Sequence, residues 1–306
     1  MSLERKYTDY KTWLVERHLD DGTWVLNRDV PHDRFADYGT GDSLYYTCLF
    51  LTALAVERNE PEFTARLTAL NAASYAKGMY PRYRDRFDTS KDPYVMLFLA
   101  LAYARDAFPD NTLVRNTLSA VTDGVREQGY QLKNPDGSAT PHGQLDDLRP
   151  VMDALNGTIT VAYYTTLFGA PVYSRVINTA RRSYFNNLML AGQYLVYHLC
   201  TRGGLARFTL SQSTRAFASV NSDNPFMLML RDMIVGSRTH EVQIAAILER
   251  FPSDHLPSEW DHITNSDVLW QIDPRDWETP NQGNVHEYSG VDYLILYQFY
   301  KRHYRP

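Results

Sequence analysis

The sequence is poor in cysteine: only Cys48 and Cys200 occur in 306 residues, which excludes a disulfide framework. Both lie in apolar stretches, where a thiol reads as a small buried hydrophobe. No run approaches the ~20 uncharged apolar residues that span a bilayer, so no membrane partner is expected. The opening residues, MSLERKYTDYKTW, lack the apolar centre of a signal peptide. The expected location is therefore a cytoplasm, or a virion if the chain is phage-encoded. Positive charge is not gathered into a tract and the net charge is −5, which argues against nucleic acid as a partner. GxSxG, a phosphate-binding P-loop, GxGxxG behind a strand and HExxH are all missing. The nine histidines are scattered and form no cluster with cysteine, so neither metal nor cofactor is expected. Asp20–Asp21–Gly22 and Asn134–Pro135–Asp136–Gly137 lack EF-hand spacing and read as turns.

What the chain has in excess is aromatic rings: 22 Tyr, 13 Phe and 5 Trp. Tyrosine is both apolar and hydrogen-bonding, which favours a large polar ligand or a wide protein interface. Hydrophobic residues make up 44% of the chain, enough for one large core and too many for disorder.

Taken in order, the chain reads as helices. Leu3 to Leu19 carries Tyr7, Tyr10, Trp13 and Leu14 at helical spacing. Leu44 to Val56 and Tyr94 to Ala104 are apolar nearly all round, the pattern of a helix buried on every side. Pro61 to Ala76 and Asn111 to Gln128 are amphipathic and belong outside. Val151 to Phe168 reads as a third inner helix. Tyr173 to Arg182, Phe185 to Cys200, Phe226 to Val235, Thr239 to Phe251 and a last helix to Tyr304 follow. Strand alternation is nowhere convincing. The buried helices recur about every 50 residues in the first half, the size of a helical-pair repeat. Such pairs form an open superhelix or a closed ring, and a ring better matches helices that are apolar all round. Its long connecting loops would gather on one rim, above the starts of the inner helices.

Three segments, GDSLYYTCLFLTALA (41–55), SKDPYVMLFLALAYA (90–104) and DVLWQIDP with GVDYLILY (267–297), resemble the (α/α)6-toroid proteins of the glycoside hydrolase and polysaccharide lyase type. The resemblance is closest to poorly characterised members whose inner helices begin with GDS-like and SRDQ-like motifs. It implies an all-α single domain over residues 1–306, with alternating inner and outer helices and a carbohydrate-related cleft on the loop rim. Lys91–Asp92–Pro93 stands where SRDQ-like relatives carry Arg-Asp-Gln.

The candidate chemistry lies on that rim. Asp42, Asp92, Asp147 and Asp292 stand at or near the starts of inner helices. Two carboxylates flanking a glycosidic bond suffice for hydrolysis, at ~5 Å for retention or ~6.5–9.5 Å for inversion. The competing reading is that each aspartate is only a helix cap, and Asp92 followed by Pro93 resembles a strong start signal. Glu287, among Trp270, Trp277 and Tyr288, is a candidate general acid, because burial disfavours its charged form. Asp42, Asp92, Glu287 and Asp292 are the catalytic candidates, with Glu287 or Asp292 expected as general acid and Asp42 or Asp92 as base or nucleophile. Trp24, Tyr38, Arg82, Tyr83, Arg84, His142, Asp147, Trp270 and Trp277 are the candidates for holding substrate. The basic loop Arg82–Tyr83–Arg84–Asp85–Arg86 either grips an acidic polysaccharide or is neutralised by Asp85 and Asp88. A lyase would take its base from Tyr80, Tyr83 or His142. The expected activity is a glycoside hydrolase, with a lyase next. The rival from another class is a non-catalytic carbohydrate-binding or virion assembly protein, which the Lys91–Asp92–Pro93 departure favours. Homo-oligomer or virion contacts remain open as further partners.

Overall fold

The computed structural model describes residues 1–26, 28–29, 34–35, 43–84, 86–157, 184–200, 210–212, 214–215, 218, 224–250, 286–287 and 289–305; at 28–29, 34–35, 147, 184–190 and 286–287 this extends to the backbone only. The described chain is mostly helical, with a few short strands.

Helix α1 (Leu3–Trp13) is capped by Ser2, whose hydroxyl accepts the Arg5 amide at 3.2 Å, and it runs on into a π turn over Leu14–His18. A short antiparallel ribbon follows, β1 (Leu19–Asp20) against β2 (Trp24–Val25). Its turn places Asp21 and Gly22 at positive φ.

Helix α2 (Ser43–Glu57) has every residue from Ser43 to Val56 buried. No apolar stripe is needed when both faces are covered. Helix α3 (Glu60–Ala72) starts with Asn59 accepting the Glu62 amide and Pro61 in its first turn, and buries only Phe63, Leu67 and Leu70. The pattern then repeats. Helix α4 (Lys91–Ala107) is buried from Asp92 to Ala104, including Leu97 and Leu101. Of the expected stripe Leu113, Val114, Leu118, Val121 and Val125, helix α5 (Thr112–Glu127) buries all but Leu113, which is half-buried.

The absence of convincing strands needs correcting. Gln131–Lys133 (β3) and Ala139–Gln144 (β4) form an antiparallel hairpin around the Asn134–Gly137 turn. Arg28–Asp29 (β5) also pairs with both Arg34–Phe35 (β6) and His286–Glu287 (β7). The third inner helix needs correcting too: α6 (Arg149–Leu155) stops at Leu155, with Gly157 at φ 71° behind it. Residues 158–168 and the expected Tyr173–Arg182 helix lie outside the described residues. The remaining helices are α7 (Tyr184–Cys200), α8 (Pro225–Val235, capped by Asn224), α9 (Glu241–Arg250) and α10 (Val291–Tyr304).

Specific contacts fix the directions of these helices. The Leu44 amide donates to the Arg82 carbonyl (3.0 Å) and the Arg82 guanidinium donates to Ser90 (2.9 Å), which joins the starts of α2 and α4. At the other end Arg302 meets Asp106 (3.1 Å), Arg105 meets the Cys200 thiol (3.2 Å), and Tyr304 donates to Asp232 (2.7 Å). These contacts bring together the last turns of α4, α7, α8 and α10. Helices α2, α4, α7, α8 and α10 therefore run the same way. Helix α1 runs opposite to α10: Glu4 pairs with Lys301 at one end, and Tyr10 packs on Tyr293 at the other. The buried apolar side chains form one cluster from Tyr7 to Tyr304. Among the described residues, no helix is long and apolar enough to cross a membrane.

Candidate functional site

The joined starts of α2 and α4 hold the densest polar network near a predicted site residue. Residues 82–86 turn back on themselves: the Arg82 amide donates to the Arg86 carbonyl (2.7 Å) and the Arg86 amide to the Tyr83 carbonyl (2.6 Å). Arg84 sits in the left-handed region at φ 40°, a strained position for a side chain with a Cβ. The turn aims its side chains at the β1–β2 ribbon. Tyr83 donates its hydroxyl to Asp20 (2.6 Å), and Arg84 donates Nε and Nη2 to the same carboxylate oxygen (2.9 and 2.6 Å). Trp24 meets the Tyr83 ring edge-on at 5.9 Å between centroids. Trp24 is buried, so its face is part of the core rather than an open stacking platform.

Two of the loop's three arginines are ion-paired. Arg84 is taken by Asp20, Arg86 pairs with Asp88 (3.1 Å), and Arg82 holds Ser90. Asp85 lies outside the described residues. Burial, then the Asp20 carboxylate, push the Tyr83 hydroxyl up to about 12. Tyr80 is buried as well; burial raises its pKa, and its hydroxyl donates to Asn71 (2.6 Å). Both phenols are held in the protonated form, which is wrong for a base at neutral pH. His142 stands exposed on β4.

Asp92 is not a cap. The capping position belongs to Ser90, α4 begins at Lys91, and Asp92 is its second residue. The Asp-Pro signal points two residues too far along because Ser90 already has the extended backbone of a cap (φ −130°, ψ 179°). The Ser90 side chain nevertheless makes no capping bond. Its hydroxyl donates to the Asp92 carboxyl at 2.5 Å and accepts from Arg82. Burial raises the Asp92 pKa, against the bonds from Ser90 and its own amide and the charges of Arg82 and Lys91. Two neighbouring hydroxyls, Ser43 at the start of α2 and Thr89 beside Ser90, are fully buried and make no hydrogen bond.

Asp292 occupies the matching second position of α10, behind Gly290. Its carboxyl is fully buried and accepts the Tyr293 amide at 2.9 Å. Burial raises its pKa well above the usual carboxylate range. Glu287 is placed by its backbone alone, paired with Arg28 across β5 and β7. Asp147 lies in the single turn Asp146–Leu148 ahead of α6. Asp42, Tyr38, Trp270 and Trp277 lie outside the described residues. The structure therefore brings Arg82, Tyr83, Arg84 and Asp92 together with Trp24.

Two participants, Ser90 and Asp20, do not stand out in the sequence. The only trace of Ser90's role is a serine two places before an Asp-Pro helix start. Among the described residues no group of three His, Cys, Asp or Glu side chains is placed to hold a metal ion. Comparisons with family models, curated proteins and solved structures gave no match to this chain.

Proposed function

We propose that residues 1–306 form a single (α/α)6-type toroid of inner and outer helices, and that the protein is a glycoside hydrolase with Asp92 as its general acid. Two features support the architecture. Among the described residues five parallel helices, one short of the six inner helices of the proposed toroid, touch in the order α2, α4, α7, α8, α10 and back to α2, with α1, α3 and α5 outside them. The single observation that carries the chemistry is Asp92: a nearly buried carboxyl at the start of an inner helix, in surroundings that favour keeping its proton. A general acid needs that property near neutral pH.

Asp42 is the partner carboxylate in this reading. It immediately precedes Ser43, and the start of α2 is bonded to Arg82. Asp92 gives its proton to the glycosidic oxygen as the bond to the anomeric carbon breaks. Asp42 attacks that carbon or takes a proton from the attacking water. The raised pKa values of Tyr80 and Tyr83 make either phenol a poorer lyase base and so favour the hydrolase, with His142 the other base a lyase could use.

The test is a screen of polysaccharides for new reducing ends, with ultraviolet-absorbing products recorded in parallel. Asp92→Asn and Asp42→Asn should each lower turnover by ~10²–10⁴-fold. Ultraviolet-absorbing products would replace the hydrolase by a lyase. Wild-type protein that binds sugars and cleaves none would move the chain to the non-catalytic class.

A further inference from the structure

Resting on the reading of Asp92 as the acid, we infer that Ser90 and Arg82 are positioning residues that fix which oxygen of Asp92 carries the proton. A guanidinium has only donors and keeps its charge in proteins. Arg82 Nη2 lies 2.9 Å from Ser90 Oγ, so that oxygen must accept. The serine's one proton then has to point away from Arg82, toward Asp92 Oδ1 at 2.5 Å. The order of donation runs one way, from Arg82 through Ser90 to Asp92. Oδ1 is an acceptor whether or not Asp92 is ionised. The acid proton of neutral Asp92 therefore resides on Oδ2, and turning the carboxyl over would set two protons against each other.

The local backbone shows that the serine is committed to this task. Ser90 occupies the capping position of α4 without capping it, forgoing the bond that a serine ordinarily makes there. Arg82 cannot drift from its place. Its amide is held by the Arg86 carbonyl and its carbonyl by the Leu44 amide at the start of α2. The relay thereby ties the orientation of Asp92 to the neighbouring inner helix, the one preceded by Asp42.

The experiment follows the carboxylic C=O stretch of Asp92 in the full-length protein by difference infrared spectroscopy across pH, with Asp92→Asn identifying the band. Ser90→Ala should move the band to higher frequency and shift its titration upward, because a bond favouring the carboxylate is lost. Ser90→Thr, which keeps the hydroxyl, should restore both. In Arg82→Met the serine proton is free to turn away, and the band should split in two. A wild-type band and titration in Ser90→Ala overturn the relay, and a single band in Arg82→Met overturns the part assigned to Arg82. These spectra do not depend on turnover. A band that responds as described in a protein that cleaves no polysaccharide would refute the acid and leave the relay standing. Where turnover is found, Ser90→Ala should lower kcat by ~10²-fold at unchanged KM, again with rescue by threonine.

Discussion

Gly290 sits against the ring of Tyr10: a Cβ at this position would lie 2.2 Å from Cδ1 and 2.7 Å from Cε1 of that ring. Tyr10 also packs on Tyr293, with centroids 5.0 Å apart. The first and last helices of the chain are thus fitted together at a residue with no side chain. Gly290 is also at φ 71°, where a Cβ is strained regardless of the space around it.

Gly290→Ala should therefore destabilise the protein by about 2–4 kcal/mol, from the left-handed backbone together with overpacking on the ring. Denaturant unfolding measures it. Combining the variant with Tyr10→Leu should recover the overpacking share in a double-mutant cycle. An alanine variant as stable as the wild type would mean the ring moves aside at no cost.

The helices of the first half were legible because burial leaves a plain signature. Ser43–Glu57 and Lys91–Ala107 lack a polar face, and Thr112–Glu127 has one clear stripe. The β3–β4 hairpin was hidden because its flanks, QLK and ATPHGQ, are too short and polar to show alternation. Only its turn stood out. At the site, Asp92 was visible from its place ahead of Pro93, and the competing reading of it as a cap is the one the structure sets aside. The bonds that settle the matter involve Arg82, eight residues from Ser90, and no periodicity encodes them. Asp20 was less visible still, since its partners Tyr83 and Arg84 lie more than sixty residues away. Cys48 is buried as its sequence suggested, whereas Cys200 is half-buried against Arg105.

Lys6 offers a second test. It is fully buried, and its ammonium donates to the carbonyls of Leu248 (2.8 Å) and Glu249 (3.0 Å) in the last turn of α9. The same group stands 4.9 Å from the centre of the Tyr293 ring. A cation at a helix C-terminus meets carbonyls that have no partner within the helix. Lys6→Met keeps the stem and removes the donors, so it should cost about 2–3 kcal/mol in urea unfolding. A change near zero would show that water replaces the ammonium.

Asp232 predicts an acid-dependent loss. Its buried carboxylate accepts Ser237 Oγ (2.6 Å), the His240 amide (2.8 Å), His240 Nδ1 (3.0 Å) and the Tyr304 hydroxyl (2.7 Å). Burial works against the charge, but these bonds outweigh it and hold the pKa below the usual carboxylate range. A depressed carboxylate contributes stability above its unfolded pKa of ~3.9. That contribution is lost as pH falls through the lower folded value. Tyr304→Phe should cost about 1.5–3 kcal/mol at neutral pH. Asp232→Asn should flatten the acid side of the stability profile relative to wild type. Parallel profiles below pH ~4 would place the acid sensitivity elsewhere.

Asp292 predicts the opposite slope. Its carboxyl is fully buried, and burial raises its pKa well above the usual range. The unfolded chain releases this proton near pH ~3.9 while the folded chain keeps it. The neutral carboxyl's stabilising share is therefore complete below ~3.9 and is lost as pH rises toward the folded value, by up to about 1.4 kcal/mol per pH unit. Asp292→Asn keeps the shape and the acceptor for the Tyr293 amide but has no proton to lose. The variant should match the wild type near pH 4 and become more stable than it as pH rises, until the folded wild type also releases the proton. Thermal unfolding of both proteins across that range checks the slope, and coincident curves would mean that the folded protein ionises Asp292 as readily as the unfolded one. The same variant separates two roles. If Asp292 is a structural acid, Asp292→Asn gains stability and keeps whatever turnover the wild type has. If it gives its proton to substrate, the gain in stability comes with a turnover loss of ~10²–10⁴-fold.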